Sequence, residues 1–117
     1  MIRHNNAHRR ALEKIASHPR KFGFRNAISV STEKALYHQG RIIAEPDIVI
    51  ELKNGEIHIV EYKGNGNSGL IEKARKQLEN AKWWYGSYRQ DVPPGKIHTH
   101  IISGDDDKYR DLLRGNS

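Results

Sequence analysis

Cysteine is missing from this chain of 117 residues. Disulfides, zinc thiolates and cysteine nucleophiles are therefore excluded. Long apolar runs are missing too: none approaches the roughly 18 residues of a membrane-spanning helix. The segment Met1–Asn6 lacks the apolar stretch of a secretory leader, so a cytoplasmic protein is expected. Acids are the scarcer charge, 14 against 20 Lys and Arg, giving a formal charge of +6 and a pI near 9.7. A basic balance favours polyanionic partners such as the phosphate backbone of nucleic acid. Hydrophobic residues make up 36% and charged residues 29%, which fits one soluble globular domain over 1–117 with a real core.

The most informative stretch runs from Glu45 to Lys63. It reads as two antiparallel strands joined near Asn54-Gly55, with Asp47, Glu61 and Lys63 at one end. Strand side chains alternate, so Glu61 and Lys63 share a face. Whether Asp47 joins them depends on the turn. A two-residue loop at Asn54-Gly55 pairs Lys53 with Glu56 and puts Asp47 opposite Tyr62, on the wrong face. A three-residue loop, Lys53-Asn54-Gly55, with a left-handed glycine pairs Leu52 with Glu56 and brings Asp47 opposite Glu61. A slip of one residue scatters the group. Sequence leaves both turns open; the chemistry favours the second. Two carboxylates can hold a divalent cation, and an adjacent ammonium can attend its water or a phosphate, as phosphodiester hydrolysis requires.

Pro46-Asp47 followed fourteen positions later by Glu61-Tyr62-Lys63 resembles the pattern of the PD-(D/E)XK nuclease superfamily. Within it, the chain resembles small members such as archaeal Holliday junction resolvases. The resemblance spans about residues 7 to 102 as an order of elements and is residue-specific only at these positions. Glu51-Leu52-Lys53 is a second E-x-K, but its carboxylate lies four residues along the strand from Asp47. At about 3.3 Å per residue that is roughly 13 Å, too wide for one ion.

The resemblance implies a restriction-endonuclease-like α/β core, a mixed four-stranded sheet in the order αβββαβ, flanked by helices. It implies a Mg²⁺-dependent endonuclease acting on DNA, with Mn²⁺ as a substitute. Asp47 and Glu61 would bind the ion with the Tyr62 carbonyl, and Lys63 would serve the water and the transition state. It also implies a homodimer, since symmetric cutting of two strands needs two sites. A further carboxylate on the first helix would be Glu13, with Glu33 as the alternative. Gln77, on the long helix, would face the site.

The element reading agrees with that core. A helix is expected over 7–17, ended by Pro19, and strand character over 27–37 before a turn at 38–40. The hairpin strands occupy 41–52 and 56–63, and a glycine-rich loop 64–69 follows. A long helix covers 70–88, a strand 96–103 and a terminal helix 105–114. The long helix carries a core stripe of Leu70, Ala74, Leu78, Ala81, Tyr85 and Tyr88, with Trp83 off it. Basic residues Arg9, Arg10, Lys73, Arg75 and Lys76 are the candidates for nucleic-acid contact.

Three competing motifs need weighing. Gly64-Asn65-Gly66-Asn67-Ser68-Gly69 matches the glycine fingerprint of dinucleotide sites. That site requires a parallel βαβ unit and an acid about 20 residues on, where this chain reads Tyr88-Arg89-Gln90; a loop with Ser68 capping the helix is expected instead. His98 and His100 share a strand face without a third ligand at helpful spacing, so a structural or substrate-facing role is expected. Asp105-Asp106-Asp107 reads as a helix start complementing the dipole. The alternative functions are a non-catalytic nucleic-acid-binding module on the same fold, and a dinucleotide-binding protein using the glycine loop.

Overall fold

A computed structural model describes residues 6–113; Arg114, at the expected end of the last helix, lies outside them. Helix α1 spans Asn6–Ser17. Strands β1 (Ala27–Thr32), β2 (Leu36–His38), β3 (Arg41–Ala44), β4 (Ile48–Leu52) and β5 (Ile57–Lys63) follow. Then come α2 (Ser68–Tyr88), β6 (Ile97–Ser103) and α3 (Asp107–Leu113). A four-stranded sheet has the order β1-β4-β5-β6. Its first three strands are antiparallel and β6 runs parallel to β5. This is the expected mixed α/β core.

Alternation along β4 and β5 divides the apolar residues between two cores. Ile48, Ile50, Leu52, Val60 and Ile102 pack with Ala11, Leu12 and Ile15 of α1 and with Phe22 and Phe24. Val49, Ile57, Ile59 and Ile97 pack with Leu78, Ala81 and Tyr85 of α2. The sheet is thus covered on both faces, which explains why β4 and the start of β5 read as nearly continuous apolar runs.

Two of the expected strands are each broken in two. Glu33 adopts a left-handed φ of 51°, and Pro46 has no N–H to donate to a ladder. Between these breaks β2 and β3 leave the main sheet and pair with each other. Gln39 and Gly40, both with positive φ, make the tight turn between them. The small hairpin is tied to α2: the Trp84 indole N–H donates to the Tyr37 carbonyl at 2.8 Å, and Asn80 donates to the Ile43 carbonyl at 3.2 Å. On α2 the buried stripe is Ala74, Leu78, Ala81 and Tyr85. Tyr88 falls outside it and is exposed, as is Trp83. No described helix is long and apolar enough to cross a membrane.

Candidate active site

The turn after β4 sets the site. Leu52 N–H donates to the Glu56 carbonyl at 2.9 Å, Gly55 N–H donates to the Leu52 carbonyl at 3.0 Å, and Gly55 has φ +90°. This is the three-residue loop with a left-handed glycine. The ladder runs outward through Glu51 opposite Ile57 to Ile48 opposite Val60. One step further, Asp47 faces Glu61.

The two carboxylates are fastened to each other's strands. Asp47 N–H donates to Glu61 Oε2 at 2.6 Å, and Tyr62 N–H donates to Asp47 Oδ2 at 2.8 Å. Both side chains are buried, 4% and 3% exposed, so water screens their repulsion little. Burial, and then the Asp47 charge, push the Glu61 carboxyl up to about 8; the Asp47 N–H and the Lys63 charge oppose that rise. Lys63 follows on the face of Glu61 and is half-buried. Two adjacent oxygen-only donors that resist being charged together suit a hard divalent cation, which would offset that repulsion.

Around this pair the structure differs from expectation in its helical partners. Glu13 is exposed on α1. The α1 residue beside the carboxylates is His8, whose Nε2 lies 3.5 Å from Asp47 Oδ1 and whose ring meets Tyr62 edge-on at 5.5 Å. Glu13 is five residues past His8, about 140° round a helix of 3.6 residues per turn. An acid was the expected side chain here, yet it is His8 that shares a face with the buried Ala11, Leu12 and Ile15. Glu33 approaches through its backbone, its N–H donating to the Asp47 carbonyl at 3.0 Å. Gln77 reaches the same segment: its Oε1 accepts from Glu45 N–H at 3.1 Å, two residues before Asp47.

The basic candidates fall on two sides of the sheet. Arg9 and Arg10 are exposed on α1, and Lys73, Arg75 and Lys76 on the first half of α2. Arg10 lines an open cleft of about 450 Å³ with Lys14, Tyr62, Gly104 and Arg110. Arg75 and Lys82 line another, of about 430 Å³, against Thr99 and Ile101 of β6. The second E-x-K is committed elsewhere: Glu51 accepts two bonds from Arg89, at 2.8 and 3.3 Å.

The glycine loop does sit in a parallel β5-α2-β6 unit, as a dinucleotide site requires. The amides of Gly66, Asn67 and Gly69 are nevertheless engaged within the protein. Asn67, in place of the expected Ser68, caps α2, its Oδ1 accepting from Gly69 and Leu70 N–H at 2.9 and 3.4 Å. Gly66 N–H donates to Asp105 at 3.0 Å; the Ser103 hydroxyl, and then this bond, hold the Asp105 carboxyl below its usual range. Asp105 thus ties the loop, while Asp107 begins α3 and Asp106 accepts from Lys108 N–H at 3.0 Å.

No protein-family model and no curated protein matches the chain by sequence. Among solved structures, the fold is similar to that of a repair endonuclease from Pyrococcus abyssi, with a TM-score of 0.57 and 16% identity. The match covers 99% of this chain and 45% of that one, so the chain spans less than half the length of that enzyme. What is shared is the fold: a mixed sheet between helices, the architecture of an endonuclease core.

Proposed function

We propose that this chain is a metal-dependent endonuclease of the PD-(D/E)XK type that hydrolyses DNA phosphodiester bonds. The observation that carries the reading is the facing pair Asp47 and Glu61, buried, cross-bonded to each other's strands and followed by Lys63. Fold similarity to a repair endonuclease and the charge of +6 point the same way. Asp47 and Glu61 would hold Mg²⁺, or Mn²⁺ in its place, through carboxylate oxygens, with the Tyr62 carbonyl as a third. A bound ion supplies Lewis-acid stabilisation of the phosphorane-like transition state and lowers the pKa of its water. Lys63 positions that water and offsets the charge that develops on the phosphoryl oxygens. Gln77 fixes the Glu45–Asp47 segment through Glu45 N–H, and His8 supports the Asp47 side chain. Arg9 and Arg10 on one side, and Lys73, Arg75 and Lys76 on the other, hold the DNA backbone. The protein would act in the cytoplasm as a homodimer on a structured DNA such as a junction.

The test is cleavage of labelled four-way junction, duplex and single-stranded DNA in Mg²⁺, Mn²⁺ or Ca²⁺. Cleavage in Mg²⁺ and Mn²⁺ is expected, and Asp47→Asn should remove most of it while sparing affinity measured in Ca²⁺. Binding without cleavage of any substrate would mean a nucleic-acid-binding module on the same fold.

A further inference from the structure

A second group of ligand atoms lies on the other face of the sheet, remote from the carboxylate pair. His58 of β5 and His98 of β6 are direct partners in the parallel ladder, and their rings stack at 4.8 Å, 17° from parallel. Glu56, at the end of the turn, meets both: its Oε1 is 2.9 Å from His58 Nε2 and its Oε2 is 3.8 Å from His98 Nε2. One ligand atom from each of the three lies within 4.8 Å of the others. Along β5, His58 is three residues from Glu61, about 10 Å. An odd separation also puts the two side chains on opposite faces.

We propose that Glu56, His58 and His98 form a site for a divalent transition-metal ion of the Zn²⁺ type. Two imidazoles and one carboxylate are a borderline N/O donor set. It favours zinc-like ions over Mg²⁺, which takes oxygen and demands octahedral order. Bonds of about 2.0 to 2.1 Å in a tetrahedron need donors about 3.3 Å apart. The Glu56 and His98 side chains, both only partly buried, can close that gap by rotation. The other nitrogen of His58 already has an outer partner, for its Nδ1 lies 2.7 Å from His100 Nε2. Metal-bound histidines use such a partner to fix ring and tautomer. Phe24 packs against both rings, 5.4 Å from His58 and 5.2 Å from His100, and backs the site with apolar surface. An ion here would clip β6 to β5 at the end where the parallel pairing begins, with one coordination position left to water. His100 acts through His58 and is a positioning residue.

Titration of the metal-free protein with Zn²⁺ by calorimetry tests the site, with Co²⁺ absorption as a second signal and excess Mg²⁺ present to occupy oxygen-only sites. One saturable ion per chain is expected. His98→Ala and Glu56→Gln should each weaken binding by more than about 100-fold, and His100→Phe, which keeps the ring packing, by about 10- to 100-fold. Asp47→Asn should bind as the parent does. In the unsubstituted protein, Zn²⁺ should shift the imidazole signals of His58 and His98 in NMR spectra and leave those of His18 and His38 in place, a result that needs no variant to fold. Absence of saturable binding, parent affinity in both His98→Ala and Glu56→Gln, or loss of binding in Asp47→Asn would each overturn the assignment.

Discussion

Asp47 and Glu61 exchange backbone bonds across the end of the β4-β5 ladder: Glu61 accepts from Asp47 N–H, and Asp47 accepts from Tyr62 N–H. Each acid is oriented by the strand of the other. The pair therefore depends on strand register before it depends on any packing around it.

Without metal, stability should depend on pH through two groups of opposite sign. The Glu61 carboxyl moves from 4.5 unfolded to about 8 folded, so its contribution is full below 4.5 and is lost as pH rises to 8. His100 is lowered from 6.5 to about 4 by burial and by the neighbouring histidines His58 and His98; its contribution is full above 6.5 and is lost as pH falls to 4. The two oppose each other between about 4.5 and 6.5. Above 6.5 the Glu61 effect stands alone, with a slope of at most about 1.4 kcal/mol per pH unit. Thermal melts in chelator should show stability falling from pH 6.5 to 8, with that fall absent in Glu61→Gln and reduced by Mg²⁺.

Lys63→Ala and Glu51→Gln should separate the two E-x-K copies. Removing one preorganised electrostatic partner typically costs about 10² to 10³ in rate, and Lys63→Ala is expected in that range. Glu51, near the turn end of the central strand β4, is paired with the partly exposed Arg89, so Glu51→Gln should cost no more than about 1 kcal/mol of stability. Its single-turnover cleavage should stay within a few-fold of the parent. Equal rates for Lys63→Ala and the parent would remove Lys63 from the chemistry.

Gly104 is held by contact rather than by conformation. A Cβ there would lie 2.5 Å from the Tyr62 hydroxyl and 2.8 Å from the Gly64 carbonyl oxygen. Gly104→Ala should destabilise by about 1 to 3 kcal/mol in denaturant titration. Tyr62→Phe in that background should recover part of the loss, because it removes one of the two colliding oxygens. A neutral Gly104→Ala would mean that the β6-α3 corner yields freely.

Affinity for duplex DNA should fall linearly on a log–log plot against salt, with a slope near −0.9 per phosphate neutralised. Replacing Lys73, Arg75 and Lys76 together by Ala should flatten that slope by up to about 3 units. A slope insensitive to all three would move the DNA contact off α2.

Much of the fold was legible because it rests on local pattern. The stripe of α2, the apolar runs of β4 and β5, and the left-handed Gly55 each follow from a few adjacent residues. Asp47 was legible only once the loop length was chosen, and that choice came from chemistry. The rest depended on contacts distant in sequence. Nothing near Thr32 announces that a left-handed Glu33 and Pro46 interrupt two strands at the same level. Glu13 was favoured because an acid was sought on α1, whereas the helix phase that buries Leu12 and Ile15 turns His8 inward. His98 lacked a third ligand when read along its own strand. Its neighbours Glu56 and His58 come from 40 or so residues earlier, across a parallel ladder. Parallel pairing leaves no short-range trace, because its strands are joined through a whole helix.

The separation in sequence also sets an order of events. Asp47 and Glu61 are brought together by a hairpin whose loop is three residues long, an event of about 1 to 10 μs. Strand β6 can join β5 only after the chain has travelled through α2, and non-local parallel contacts of this kind form slowly. The two acids therefore meet while the hairpin is still hydrated and their repulsion still screened. Their dehydration is expected later, once α1 packs on the sheet and brings His8 to Asp47. A divalent cation present at that stage would meet a nascent site with its ligands already aligned, so refolding in Mg²⁺ should speed closure of the sheet rather than formation of the hairpin.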